Sequence, residues 1–373
     1  MIMIRITQPK SSPPRATDMS TLPFASETVE APSAERFPTY PIAWYLFGDS
    51  RELRKDGGKG PLSKDLLGRR LTAYRTANGN IVVLDASCSH LHADLGNGCV
   101  DGDTIQCPYH HWRYGSDGRC VHIPAMPDQA IPAFARQRSY PAVERHGLIF
   151  FFNGPRALYP LPFFADADPN DFIRARPFGM TLQCPWWLVG ANACDVQHFL
   201  GSHGRRLAGP PTVEHPGPFV RRASAPFAVL GSSWRDRVSR WFGGPQVELS
   251  ITDWSGTMMF VTATFRRTRS HGLLTSIPIG RDRVWVRGIV FVRRSRNALG
   301  RWLIDPLHLR LRRYFIKEFL RPDAELASRG LLYQPGSLLP CDVELARYFQ
   351  WLASAADEAN AATRATDGAT DLP

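Results

Sequence analysis

Two short motifs, Cys88-Ser-His90 and Cys107-Pro-Tyr-His110, constrain this 373-residue chain more than anything else in it. Sixteen residues separate two blocks that each offer one thiolate and one imidazole. A [2Fe-2S] centre in which two cysteines hold one iron and two histidines the other needs this supply of ligands, and two mixed loops clamp both irons at once. Structural zinc modules divide their ligands differently, with two cysteines in one knuckle and histidines or further cysteines in the other. The surrounding sequence is rich in β-formers and punctuated by Asn78-Gly79, Asp101-Gly102 and Asp117-Gly118, each a hairpin signal. Residues 81–84, 104–106 and 120–123 therefore read as strands of an antiparallel β-domain that carries the ligands on its loop tips, where a stiff scaffold holds them.

Further along lies Asn192-x-x-Asp195-x-x-His198-x4-His203. Two histidines and one carboxylate form the facial triad of non-haem Fe(II) sites, which leaves positions open for dioxygen and substrate. On a helix Asn192, Asp195 and His198 recur every three residues and share a face, whereas His203 falls roughly 140° further round. Gly201 and Gly204 flank His203, so a π-bulge or a helix end is expected to turn its ring back toward His198. Read alone, the run also suits a helix C-terminus decorated with histidines. The third ligand is expected at Asp342, just ahead of a strongly helical C-terminal segment, where an Asp also serves as a helix cap. Asp323 and Glu344 are the reserve candidates.

Together these motifs resemble the α subunit of Rieske non-haem iron oxygenases over about residues 40–352, and the likeness takes in Trp44-Tyr45, Cys120-Val-His-Ile-Pro124, Arg145-His-Gly-Leu-Ile-Phe150 and Asp342-Val-Glu-Leu. Respiratory Rieske proteins add a disulfide cysteine to each loop; here those places hold Ala93 and Tyr109, so the cluster is similar to the oxygenase type. The resemblance implies an α+β chain with a disordered N-terminal tail (1–36), an antiparallel β Rieske domain (37–153), a helix-grip catalytic domain in which helices cover a sheet (154–355), and a disordered C-terminal tail (356–373). It implies Cys88 and Cys107 on one cluster iron, His90 and His110 on the other, and His198, His203 and Asp342 on a mononuclear Fe(II), with Asn192 close to that iron. Asp195 is implied as the bridge between a metal-bound histidine and a cluster histidine of the neighbouring subunit, in a head-to-tail homotrimer. Ala191 stands where many members have an acidic residue, and His111-Trp112 where Gly-Trp is usual. The His-His-Trp-Arg-Tyr run is most similar to the aminopyrrolnitrin oxygenase type, a branch that oxidises an arylamine nitrogen.

The implied activity is that of a terminal oxygenase, a monooxygenase or dioxygenase. Electrons come from NAD(P)H through a separate flavin reductase or ferredoxin, and O2 is used to hydroxylate or N-oxidise a small aromatic or hydrophobic molecule, as in secondary metabolism. Oxidative demethylation, desaturation or cyclisation is the alternative within the family. A Rieske electron carrier with an inactive catalytic domain is the alternative outside it.

Composition sets the remaining bounds. The chain is 43% hydrophobic and 21% charged, ordinary for a globular protein with sizeable cores. Met1-Ile-Met-Ile is broken by Arg5 and is not expected to act as a signal sequence, and no stretch approaches the roughly twenty apolar residues of a membrane span. A cytoplasmic location is expected. Of seven cysteines, two go to the cluster and the other five form no paired framework, which fits a reducing compartment. A net charge of +11 raises nucleic acid as a partner, but the basic groups Arg221-Arg222, Arg266-Arg267, Arg293-Arg294 and Arg310, Arg312 and Arg313 belong to no nucleic-acid module, and none is expected. An acidic ferredoxin is a fitting partner for such a surface. Residues 299–320 place Trp302, Leu303, Leu307, Leu309, Leu311 and Phe315 among arginines. They read as a core-facing helix with a basic outer face, with contact at a membrane surface as the alternative. Runs at 246–252, 257–265 and 283–292 alternate like strands and are expected to line an apolar cavity, with Val247, Leu249, Met258, Phe260 and Trp285 as candidate wall residues and plain core as the competing use.

Overall fold

The computed structural model describes residues 29–53, 57, 60–231 and 234–370. Two of the hairpin signals close turns at Gly79 (φ +84°) and Gly102 (φ +61°), where a side chain would be strained. They join Arg69–Arg75 to Ile81–Asp85 and Cys99–Asp101 to Thr104–Gln106. The first half of the chain builds three small antiparallel sheets. Leu62–Leu66, Arg69–Arg75, Ile81–Asp85 and Ser139–Tyr140 form one, Cys99–Asp101, Thr104–Gln106, Arg113–Tyr114 and Cys120–His122 a second, and Trp44–Asp49, Leu148–Phe152 and Ala142–Arg145 a third. The uninterrupted apolar run Leu148–Phe152 is buried along its whole length, as a strand covered on both faces must be.

The second half folds around a nine-stranded antiparallel sheet. Its main path runs Phe172–Arg174, Val284–Arg293, Arg269–Pro278, Met258–Thr264, Gln246–Trp254, Val220–Val229 and Arg205–Leu207, with Phe178–Leu182 and Thr212–Gly217 paired onto it. Among the described residues five α-helices complete the fold: α1 (Trp187–Ala191), α2 (Val196–His203), α3 (Trp234–Gly243), α4 (Asp305–Ala327, entered through a π-type turn at Gly300–Ile304) and α5 (Val343–Thr370). The expected antiparallel β-domain followed by a sheet with covering helices is present.

Strand parity decides which side chains meet the second half's cavity. On Met258–Thr264, Met258 and Phe260 join a core shared with Trp44, Phe47, Phe151 and Phe152 of the first half. Met259, Val261 and Ala263 face the cavity instead. The expectation that Met258, Phe260 and Trp285 form cavity walls is therefore wrong by one residue of strand register, whereas Val247 and Leu249 do line it.

The expected disordered tails also need correction over their described parts. Residues 356–370 continue α5, whose Ala355 and Ala359 are buried. Residues 29–36 lie against the C-terminal region: Tyr333 donates to Pro32 O, Gln350 donates to Glu30 O, and Arg36 pairs with Asp357. Residues 1–28 and 371–373 lie outside the described residues. Phe151 sits at the centre of the shared core in contact with Tyr45, Phe47 and Tyr140. Phe151→Ala should cost about 3–5 kcal/mol, read as a fall in the thermal unfolding midpoint.

Candidate metal centres and cavity

The two Cys/His motifs sit on adjacent loop tips of the first half. Cys88 and Cys107 are buried and their thiols neighbour each other. His90 Nδ1 and His110 Nδ1 approach to 3.1 Å. Burial raises the Cys107 thiol above its ordinary pKa, opposed by the backbone N–H groups of Tyr109 and His110 that bond its sulfur. Tyr114 Oη lies 3.0 Å from Cys88 Sγ, and Trp112 stacks flat on the His90 ring at 4.6 Å. Such donors and rings fix ligand orientation and tune a cluster's potential. His111 occupies left-handed backbone (φ +60°), a conformation natural to glycine, and its ring is tied to Gln106 Nε2 at 2.9 Å. Two thiols and two Nδ1 atoms converging from opposite loops fit a mixed Cys/His [2Fe-2S] centre.

In the second half α2 ends at His203, with Gly204 in left-handed backbone (φ +57°) as its C-cap. The helix end, and no π-bulge, brings the rings together: His198 Nε2 and His203 Nε2 are 3.0 Å apart. Asp195 is extended and caps α2, its Oδ1 accepting from His198 N at 3.0 Å. Asn192 therefore lies beyond a break at the end of α1, not on one continuous face with Asp195, yet its Nδ2 comes within 3.2 Å of His198 Nε2. Phe319 of α4 stacks on the His203 ring at 4.0 Å and restricts its rotation.

The carboxylate that meets these imidazoles is Asp323. Its Oδ1 lies 3.1 Å from His198 Nε2 and 3.0 Å from His203 Nε2. The expected Asp342 is elsewhere: its Oδ1 accepts from Gln197 Nε2 at 2.9 Å and its Oδ2 from Leu339 N at 2.9 Å, the local turn-capping use an Asp has before a helix. Glu344 is ion-paired to Arg221 and Arg347. Burial raises the Asp323 carboxyl, but the two imidazoles outweigh it and hold the group below its ordinary pKa. Asp323 Oδ1 is nevertheless buried without a properly directed hydrogen bond. A triangle of donors with edges near 3 Å is what ligands about 2.1 Å from one ion make at right angles. The residues present thus fit a facial triad. Asp323→Ala should lose one iron per chain and keep cluster iron and sulfide, whereas Asp342→Ala should keep all of it, checked by metal and acid-labile sulfide analysis of anaerobically purified protein.

Behind the α1–α2 connection lies a largely buried polar network. Arg221 donates to Cys194 Sγ at 3.1 Å and pairs with Glu344 at 3.3 Å. Asp253 accepts from Tyr348 Oη at 2.8 Å and from Gly256 N at 2.9 Å. Burial pushes the Cys194 thiol up to about 11 and the Asp253 carboxyl up to about 6. A carboxyl whose folded pKa is raised takes protons more readily folded than unfolded, so the stability it lends is complete below its unfolded value near 3.8 and is lost as pH rises to about 6. Asp253→Asn should flatten that loss, making the variant relatively more stable at pH 7 than at pH 4 in denaturant titrations.

The triad opens into a cavity of about 1770 Å³ between the sheet and α4. Its walls include Leu249, Ile251, Met259, Val261, Leu273 and Phe315, a largely apolar lining into which Asn192, Asp195 and the triad enter at one end and Arg205, Asp236, Arg267 and Arg312 elsewhere. Asp323 was among the reserve candidates in the sequence, where it is a carboxylate following Pro322 inside an otherwise periodic helix.

Residues 43–141 match the model of the Rieske [2Fe-2S] domain. Aminopyrrolnitrin oxygenase from Pseudomonas fluorescens is 37% identical over 43% of this chain and 45% of its own length. The oxygenase component of a 3-ketosteroid-9-alpha-monooxygenase from Rhodococcus rhodochrous is 39% identical over 32% of this chain and 30% of its own. The chain thus spans less than half the length of these curated relatives. Among solved structures, dicamba monooxygenase bound to dicamba superposes with a TM-score of 0.63 at 20% identity, covering 86% of this chain and 98% of that one. The chain carries a Rieske [2Fe-2S] domain and has the fold of the Rieske oxygenase α subunits. The sequence match lies in the first domain, and over the remainder the likeness is one of fold.

Proposed function

We propose that this chain is the terminal oxygenase of a multicomponent Rieske system. It takes electrons from a separate reductase or ferredoxin and uses O2 to oxidise an aromatic or hydrophobic small molecule. The observation that carries the reading is the meeting of His198, His203 and Asp323 at the wall of a large apolar cavity in a chain that also bears a Rieske domain. Those three side chains would hold an iron ion, which would supply the activation of dioxygen.

The protein's own residues hold the frame for that chemistry. Phe319 and the α2 cap keep the two imidazoles aimed at Asp323, the apolar walls exclude water and seat an apolar substrate, and Asn192 offers a polar group beside His198. Asp195, whose Oδ1 holds the His198 backbone, has Oδ2 for the proposed link to a cluster histidine of a neighbouring copy in a homotrimer. Asparagine caps helices as well as aspartate does, so Asp195→Asn separates capping from charge. The variant should keep both metal centres while turnover falls tenfold to a hundredfold, measured as substrate-dependent O2 uptake.

Hydroxylation and N-oxidation are the favoured outcomes, in keeping with relatives named as an aminopyrrolnitrin oxygenase and a ketosteroid monooxygenase. The cytoplasm is the proposed compartment, in line with seven cysteines that are all free. Cells expressing the chain with a reductase and fed arylamines and steroids under 18O2 should release a labelled product. No labelled product, together with iron matching the cluster alone, would leave an electron carrier with an inactive second domain.

A further inference from the structure

Helix α4 has one apolar face more than its fold uses. Leu309, Ile316 and Leu320 pack inward against Ala175, Phe178 and Val290. His308, Phe315 and Phe319 face the cavity. A third stripe, Leu303 in the π-type turn and Leu307 and Leu311 of α4 at spacing four with Tyr314 three further on, is exposed to solvent and runs beside the cavity face at Leu311 and Tyr314. Leu307 is 62% exposed, and Trp302, in the π-type turn that leads into α4, is 78% exposed. An apolar surface of this kind on a soluble fold marks a contact site.

The charge around it is one-sided. Between Arg293 and Arg313 there are seven arginines and a single acid, Asp305. Asp305 is buried and accepts from Ser295 Oγ and N, so it presents no charge outward. Arg294, Arg296 and Arg310 are exposed, while Arg293 is paired with Asp171. The stripe also runs into the cavity mouth, where Leu230, Trp234, Leu311 and Tyr314 are at once cavity lining and exposed surface. A Trp/Leu face rimmed by arginine matches an anionic lipid surface, which offers hydrocarbon to the apolar stripe and phosphate to the rim. No helix among the described residues is long and apolar enough to cross a membrane, so any such contact is peripheral.

We propose that the outward face of α4 and the Gly300–Ile304 turn seats this protein on an anionic phospholipid bilayer with the cavity mouth toward the headgroups. Resting on the reading of the cavity as the substrate site, this makes the substrate a lipophilic molecule that enters from the bilayer. The test is sedimentation of the full-length, iron-loaded protein with vesicles of phosphatidylcholine alone or mixed with phosphatidylglycerol, alongside size-exclusion chromatography and iron content. The protein should bind the mixed vesicles at least tenfold better, and the difference should shrink in high salt. Trp302→Ala/Leu307→Ala and, separately, Arg296→Glu/Arg310→Glu should each weaken that binding about tenfold or more with iron content and oligomeric state unchanged. The charge-reversal variant alters only exposed side chains, so it keeps the test decisive if the apolar variant fails to fold. Absence of vesicle binding, equal binding to both lipid mixtures, or binding indifferent to the substitutions overturns the proposal. A change of oligomeric state in the variants also overturns it and assigns the face to an interface between copies. Since vesicle binding is read without turnover, it can fail while the iron site and oxygenase reading stand, and the converse.

Discussion

The meeting of α4 with α2 is the contact on which the second half of this protein depends. The two imidazoles arrive on one short helix, but the carboxylate that faces them comes from a helix entered more than a hundred residues later. α4 is 23 residues long, so its Asp323 end is placed by the inward packing of Leu309, Ile316 and Leu320 on the sheet. Pro322 sits immediately before Asp323 and cannot donate to the helix ladder, which loosens the backbone at the position where the carboxylate turns toward the histidines. That packing brings the carboxylate and the two imidazoles to within about 3 Å of one another, a spacing suited to a positive ion between them.

The first half solves a different problem. Its ligands come from two loops of one small β-domain, close in sequence and fixed by short hairpins, so little long-range structure is needed to bring them together. What the surrounding fold adds is environment: Tyr114 at the Cys88 sulfur, backbone N–H groups at Cys107, and Trp112 against His90. The two halves are then joined by a shared aromatic core in which Trp44, Phe151 and Phe152 meet Met258, Phe260 and Phe291. A core continuous across both halves makes one rigid frame for the cluster-bearing tips and the cavity.

The polar network of Arg221, Glu344, Cys194, Asp253 and Tyr348 ties the α1–α2 connection to α5 and the sheet. Arg221, Asp253 and Tyr348 are buried and Cys194 and Glu344 half-buried, so the arginine here is structural, unlike the exposed arginines around Trp302. A single count of basic residues cannot separate these uses; burial does.

What the sequence determined by itself is what local chemistry dictates. The Cys/His spacing, the Asn-Gly and Asp-Gly turns and the alternating runs near residues 246, 258 and 284 announced the cluster loops and the strands, because ligand geometry and hairpin closure act over a few residues. The His198–His203 pair was legible as well, with Gly204 marking the helix end that reunites the rings. Tertiary structure alone decided the rest. Asp342 has the local setting of a functional Asp and is used as a turn cap, while Asp323 has no local signature and is selected by the packing of α4 across the sheet. The faces of Met258 and Phe260 turned on one residue of register, and the outward stripe of α4 turned on which of its apolar faces the sheet covered. Both are long-range choices, made where packing, rather than propensity, carries the free energy.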